Sequence, residues 1–263
     1  MLLPITLATD FGSDDPYVGI MKGVILKINP RAVIVDLTHA LSNKRLLETA
    51  FILQTAYPYF PKGTIHVAVV DPGVGGNRRL IGIQGKDRLW IGPDNGIFSL
   101  VVKENPGASL FSLSNLKYFL KNISATFHGR DILAPVAAHL SLGVSLKDMG
   151  EAISDSVLLP IPETVITKDK ITGQVLWADH FGNLITNIRP EWLHPFFSSP
   201  SLKIKIGNKT ISEIHQTYSQ GKTGRLLALI GSSGYLEIAS NQASAAKILG
   251  FRPDKIMAVV VAF

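Results

Sequence analysis

An α/β N-terminal domain with a mostly parallel sheet, followed by a smaller all-β, barrel-like C-terminal domain, is the fold this chain predicts. Three observations carry it. Strand-like and helix-like segments alternate over the first 150 residues, the proline-rich stretch LLPIPETV interrupts the chain at 158–165, and strand-like segments alone follow. The domains are expected at 1–157 and 167–263, with a linker at 158–166.

Taken in order, ITLATDF is a short apolar run into a polar turn, and YVGIMKGVILKINP is a helix stopped by Asn29 and Pro30. AVIVDLTH reads as a second strand, LLETAFILQTAYPYF as a helix ending near Pro58 and Pro61, and GTIHVAVVD as a third strand. RDILAPVAAHLSLGV is a further helix before the linker. Beyond it, GQVLWADHFGNLITNI, LKIKIGNKTI, RLLALIGSSGYLEIA and KIMAVVVAF read as strands separated by Gly, Asn and Ser turns. In open parallel sheets ligands bind beyond the carboxyl ends of strands, and Asp10, Asp36 to His39 and Asp71 fall at those ends.

Composition narrows the function classes. At 46% hydrophobic and 17% charged, the chain has apolar material for one large or two modest cores, so disorder is excluded. There is no cysteine, which removes disulfides, thiolate nucleophiles and cysteine-held metals. No run of about eighteen apolar residues occurs, and MLLPITLATDFG lacks a basic leader, so a cytoplasmic protein with no membrane partner is expected. The net charge of +6 is spread over single and paired residues without aromatic interleaving, and no nucleic-acid partner is expected.

Four clusters carry candidate chemistry. VVDPGVGGNRR fails as a phosphate loop, since no Lys-Ser or Lys-Thr closes the glycine run, and fails as a dinucleotide fingerprint, since Arg78 stands where Gly is needed. A methyltransferase-like acidic and glycine-bearing strand end remains open, as does a plain glycine turn. ATFHGRDILAP places His128, Arg130 and Asp131 at a helix start, where Asp131 has a bland role available against the helix dipole. Together the two clusters supply a carboxylate, a guanidinium and an imidazole, the group types that orient and deprotonate water, while sequence spacing alone does not bring them together. In TDFGSDDPYVGIMKG, Asp10 at a strand tip can accept from a ribose diol, whereas Asp14 and Asp15 can equally cap the next helix. In ADHFGNLITNI, Asp179, Phe181 and Asn183 offer a stacking face and a base-reading amide, or only a β-turn.

Together, TDFGSDDPYVGIMKG, DLTH, VVDPGVGGNRR, GPDNG, TFHGRD, DHFGNLITNI and SSGYLEIA, in this order, resemble the adenosine-forming S-adenosyl-L-methionine hydrolases, also called hydroxide adenosyltransferases. These are related to the fluorinating and chlorinating enzymes. The resemblance covers nearly the whole chain. It implies a homotrimer whose substrate lies between the N-terminal domain of one subunit and the C-terminal domain of the next. The reaction it implies is S-adenosyl-L-methionine plus water giving adenosine and L-methionine, with no metal and no cofactor.

Carried over by motif, the water-activating triad falls on Asp71, Arg78 and His128, and the ribose-binding aspartate on Asp10, with Asp14 and Asp15 in the same pocket wall. Asp179 and Ser232 match residues at the methionine end, and Phe181 and Asn183 match adenine contacts. The segment Glu237 to Gln242, with Ser240, lines the adenine side. The halogenating relatives lack the triad, and the fluorinating enzyme has Ser where Gly129 stands, so water is the expected nucleophile. Two departures stand out. ALSNKR, with Lys44, replaces a proline- and aromatic-containing lid, and Ser233 replaces an arginine that holds the methionine carboxylate. The altered lid keeps open a non-catalytic adenosine or S-adenosyl-L-methionine sensor of the same fold.

Overall fold

The structure, a computed structural model, describes residues 3–197 and 199–263. The chain divides into two compact units, Met1–Pro160 and Ile161–Phe263.

The first unit is a seven-stranded sheet of order β2-β1-β3-β5-β4-β6-β7. Its strands are β1 (Ile5–Thr9), β2 (Ile34–Thr38), β3 (Ile65–Val69), β4 (Leu80–Gln84), β5 (Leu89–Pro93), β6 (Ser109–Ser112) and β7 (Ala152–Ile153). Alternate residues sort to opposite faces, as the two-residue period of a strand requires. Ile5, Leu7, Ile65, Val67 and Val69 join one core with α1 (Tyr17–Ile28) and α4 (Ala134–Ser141). Ala8, Ala68, Val70 and Trp90 join another with α2 (Leu46–Ala56) and α3 (Ser99–Glu104). In α1 the buried residues are Val18, Met21 and Ile25, one helical stripe. The helix stops at Asn29, whose side chain donates to Ser141 Oγ at 2.8 Å and ties α1 to α4.

The expectation of a mostly parallel sheet is corrected. β2, β1, β3 and β5 pair in parallel, but β5 with β4, β4 with β6, and β6 with β7 pair antiparallel. The reason is loop length. Only Gly85 to Arg88 joins β4 to β5, closed by Gly85 N–H donating to the Arg88 carbonyl at 3.1 Å, whereas a parallel return needs a crossover of a dozen or more residues.

The second unit is a nine-stranded sheet curled into a half-barrel. Its main path is β12-β11-β16-β9-β10-β15-β14-β13, with β8 (Val165–Ile166) paired to β9. The long β9 (Lys170–Ala178) makes the curl: its first half pairs with β16 (Ala258–Ala262) and its second with β10 (Leu184–Thr186). The others are β11 (Lys203–Ile206), β12 (Lys209–Ile211), β13 (Ile214–His215), β14 (Leu226–Ile230) and β15 (Leu236–Ser240). The all-β expectation holds only coarsely. Two short helices, α5 (Pro190–Leu193) and α6 (Ala245–Leu249), interrupt the strands, and β13 runs parallel to β14. Among the described residues no helix is long and apolar enough to cross a membrane.

One buried histidine makes the fold acid-sensitive. His66 is stacked on Trp90 and bonded through Nδ1 to Thr6 Oγ1 at 2.9 Å, and burial, with the Arg88 charge second, pushes its pKa down to about 4. The unfolded chain takes up this proton first as pH falls, so the stability His66 contributes is complete above its ordinary pKa of about 6.5 and is lost on descending to about 4. Over that window the loss should approach about 3 kcal/mol. Denaturant unfolding at pH 7 and pH 4.5 should show a pH difference that shrinks by most of that amount in His66→Phe; an undiminished difference would refute it.

Candidate active site

Two carboxylates emerge side by side where β1 and β3 end. These strands run parallel with Thr9 opposite Val69, and Asp10 N–H donates to the Val69 carbonyl at 3.3 Å. Asp10 and Asp71 are therefore delivered to one edge of the sheet. Burial raises the pKa of Asp10, and the neighbouring Asp71 charge raises it further.

The loop after Asp71 folds back on itself. Val74 N–H donates to the Asp71 carbonyl at 3.2 Å and Gly76 N–H to that of Gly73 at 3.0 Å, a pair of tight turns. Gly75 has φ of +78°, and a Cβ there would lie 2.4 Å from the Ala125 carbonyl oxygen, so the loop rests directly on the segment leading to His128. Arg78 is thereby returned to Asp71. Its Nε donates to Oδ1 at 3.0 Å and to Oδ2 at 2.8 Å, its Nη2 also donates to Oδ2, and the same Nη2 lies 2.8 Å from His128 Nδ1. Both members of the ion pair are largely buried.

A guanidinium has no acceptor, so His128 Nδ1 must accept, which leaves the ring proton of the neutral imidazole on Nε2. Burial first, and the Arg78 charge second, hold the His128 pKa below its ordinary value. The neutral tautomer is the resting one. His128 precedes a π-helical turn, Gly129–Leu133, that leads into α4; such turns are frequent at functional sites. Gly129 sits where a Cβ would press on Val69 Cγ1 at 3.2 Å and Met21 Sδ at 3.3 Å, so the position is closed to a larger side chain without local adjustment. Phe11, Tyr17 and Phe127 pack edge to face beside it, with centroids 5.3 to 5.8 Å apart.

Not every motif residue belongs to this constellation. Arg79 turns the other way, onto buried Asp94 of GPDNG at 2.8 Å and onto Asp155 at 2.8 Å. Asp94 also accepts from Val157 N–H, so GPDNG fastens the end of the first unit. Asp131 is wholly buried, clamped by Arg130 at 2.6 Å and by Ser124 N–H at 2.8 Å. It anchors the segment carrying His128. Asp14 and Asp15 are exposed, and neither caps α1, whose N-cap is Pro16 without a side-chain bond.

The second unit carries its own pocket, a cavity of 720 Å³ that contains Asp179, Phe181, Asn183, Ser232, Ser233, Glu237, Ser240 and Gln242 in its lining. Its floor is a row across three strands, Trp177, Ile185 and Glu237, placed together because Ile185 pairs with both of the others. Asn183 donates from its backbone to Asp179 Oδ1 at 2.8 Å and from its side chain to Oδ2 at 2.9 Å. One amide hydrogen of Asn183 is thus spent on Asp179, leaving its other amide hydrogen and its side-chain oxygen for a ligand. Phe181 is 75% exposed, an open stacking face. Gln242 has φ of +57°, a left-handed backbone rare for a side-chain-bearing residue.

Sequence reasoning missed Tyr218, whose hydroxyl donates to Glu237 Oε1 at 2.8 Å. Burial, outweighing the Tyr218 hydrogen bond and aided by the Asp179 charge, raises the Glu237 pKa. Thr217 and Gln220 form a capping box around the short turn that presents Tyr218, and T-Y-S-Q is the sequence signal that reveals it. Among the described residues, no three His, Asp or Glu side chains converge in a way that could hold a metal ion.

The fold and these two sites define a two-domain α/β protein with a contacting carboxylate, guanidinium and imidazole set in one unit and an acidic, aromatic-edged cavity in the other. The chain belongs to the SAM hydroxide adenosyltransferase family, matching its N-terminal domain over residues 5–150 and its C-terminal domain over 173–257. It is 36% identical to an (R)-S-adenosyl-L-methionine hydrolase of Salinispora tropica, over 95% of this chain and 94% of that protein. A protein of the same name from Thermus thermophilus is 35% identical, over 95% and 96%. A fluorinase of an Actinoplanes species is more distant, 28% identical over 91% of each chain. The crystal structure of a conserved protein from Thermotoga maritima superposes with a TM-score of 0.91, at 34% identity, over 98% of this chain and all of that one.

Proposed function

We propose that the protein hydrolyses S-adenosyl-L-methionine, including the (R)-sulfonium form that the relatives' name specifies, to adenosine and L-methionine. The observation that carries this is the contact of Arg78 with both Asp71 and His128. Water oxygen bonds to ribose C5′, the C5′–S bond breaks with its electron pair passing to sulfur, and the water proton leaves through Asp71 to solvent. Asp71 accepts that proton because the only unprotonated nitrogen of His128 is already engaged by Arg78. His128 donates from Nε2 and, with Arg78, holds the hydroxide-like oxygen as charge develops on it. Attack on a sulfonium neutralises charge, so a water-poor site favours it and no metal or cofactor is assigned to the step.

In this reading Asp10 receives the ribose diol, with Asp14 and Asp15 in the surrounding wall. Phe181 stacks on adenine with Asn183 and the Glu237 to Gln242 segment, and Asp179, Ser232 and Ser233 hold the methionine end. The Asp179 and Glu237 carboxylates suit a ligand bearing a sulfonium and an ammonium. We assign the complete site to a cytoplasmic homotrimer, in which neighbouring subunits bring the two halves together.

Incubation with each sulfonium epimer, with and without chloride, should release adenosine and methionine at a chloride-independent rate, followed by chromatography. Adenosine no greater than in a His128→Ala control would refute hydrolysis. S-adenosylhomocysteine would mark a methyltransferase, and a 5′-chloro nucleoside a halogenase.

A further inference from the structure

The strand-end motif DLTH has no part in the chemistry above, yet its side chains meet the loop that carries Asp10. His39 Nδ1 lies 3.0 Å from Thr9 Oγ1, and Thr9 Oγ1 in turn accepts from Phe11 N–H at 3.3 Å. The His39 carbonyl accepts from Gly12 N–H at 2.8 Å, while the Thr9 carbonyl accepts from Leu41 N–H at 3.1 Å. Asp10 is therefore bracketed: the residues on both sides of it are bonded to His39 or its neighbours. On the far edge of the ring, Nε2 lies 3.1 Å from Asp36 Oδ1, an ion contact lying off the hydrogen-bonding direction. Asp36 Oδ2 accepts from Lys22 Nζ of α1 at 2.6 Å. A chain of contacts thus runs from α1 through β2 to the tip of β1.

The order Asp36, His39, Thr9 has the form of a nucleophile-activating triad, but Thr9 is fully buried and its hydroxyl cannot reach a substrate. The outer pair is also too exposed to contribute much stability, with side chains of Lys22 and Asp36 33% and 42% accessible. What the chain of contacts fixes is orientation. The Asp36 carboxylate facing Nε2 favours the tautomer protonated there, which leaves Nδ1 to accept from the Thr9 hydroxyl. That in turn points the Thr9 oxygen lone pair at Phe11 N–H and sets the backbone immediately after Asp10.

We propose that His39 is a positioning residue that, backed by Asp36 and Lys22, holds the Thr9 to Gly12 segment so that the Asp10 carboxylate faces the ribose. This rests on the adenosine-forming reading of the site. Because a ribose contact is made equally before and during reaction, its loss raises KM and leaves kcat nearly unchanged.

The test measures adenosine affinity by calorimetry and steady-state kinetics for His39→Ala, His39→Asn, Asp10→Ala and the Asp10→Ala/His39→Ala pair. His39→Ala should weaken adenosine binding and raise KM about tenfold, with kcat within about twofold. His39→Asn, whose carboxamide can still meet Thr9, should recover most of the loss. In the Asp10→Ala background, removing His39 should cost little more, since the effect runs through Asp10. A His39→Ala protein that only melts earlier, or losses that add fully in the double variant, would overturn the proposal while leaving hydrolysis standing. A wild-type protein that neither binds adenosine nor releases it would overturn both.

Discussion

Replacing Arg78 with lysine should lower turnover of S-adenosyl-L-methionine by at least about a hundredfold while leaving adenosine affinity within a few-fold. Arg78 uses a planar fork in which Nε and Nη2 hold Asp71 and the same Nη2 reaches His128 Nδ1. A lysine ammonium preserves the charge but lacks the fixed fork that holds both partners at once. Two consequences separate this from simple loss of fold. The His128 pKa, followed by NMR titration of its ring, should rise in Arg78→Ala, because the Arg78 charge is, after burial, the second cause that keeps it low. In Arg78→Lys the melting temperature should fall only modestly, since the ammonium keeps a positive charge beside the buried Asp71. A lysine variant with undiminished kcat would show that charge alone suffices, and the oriented-water reading would fail.

Much of the first unit was legible because its signals are local. The stripe of Val18, Met21 and Ile25 and the Asn29-Pro30 stop mark α1, and the runs ending at Asp10 and Asp71 mark β1 and β3. The antiparallel half of the sheet was not read, because LIGIQGKDRLWIGP carries no Asn-Gly or Asp-Gly turn signal and its pairing is decided by a four-residue connection. Direction in a sheet is a property of the connection, and strand composition is silent on it.

The site divides in the same way. Asp71 and Arg78 share one short loop, so their meeting follows from a turn. His128 is fifty positions from Arg78, and only the resemblance joined it to them before the fold did. In the second unit, Trp177 and Ile185 were hidden because pocket-floor residues look like any alternating strand positions. Asp179 and Asn183, read as contacts to opposite ends of the substrate, are hydrogen-bonded to each other, so their ligand-facing atoms are fewer than the residue types suggest. GPDNG, a motif in the sequence, is a structural tie through Asp94.

Gly75→Ala should be nearly as damaging to turnover as the loss of a triad member, although the residue carries no functional group. Its left-handed backbone costs an L-residue about 1–2 kcal/mol. The larger effect is spatial. An added Cβ would sit 2.4 Å from the Ala125 carbonyl oxygen, an atom of the backbone that cannot rotate away, so the 71–78 loop and the segment before His128 must separate. Arg78 keeps Asp71, which lies on its own loop, and loses His128, which lies across the gap. Small misplacements of this kind cost on the order of a hundredfold in rate. Adenosine affinity should change by no more than a few-fold, because the residues assigned to ribose and adenine, Asp10, Phe181, Asn183 and Glu237, all lie outside the 71–78 loop. The expected result is a kcat lowered about a hundredfold, a melting temperature lowered by several degrees, and an adenosine affinity within a few-fold of the unsubstituted protein. Full activity in Gly75→Ala would mean that the contact between Arg78 and His128 does not depend on this close approach, and would leave the glycines of VVDPGVGGNRR with a turn-forming role alone.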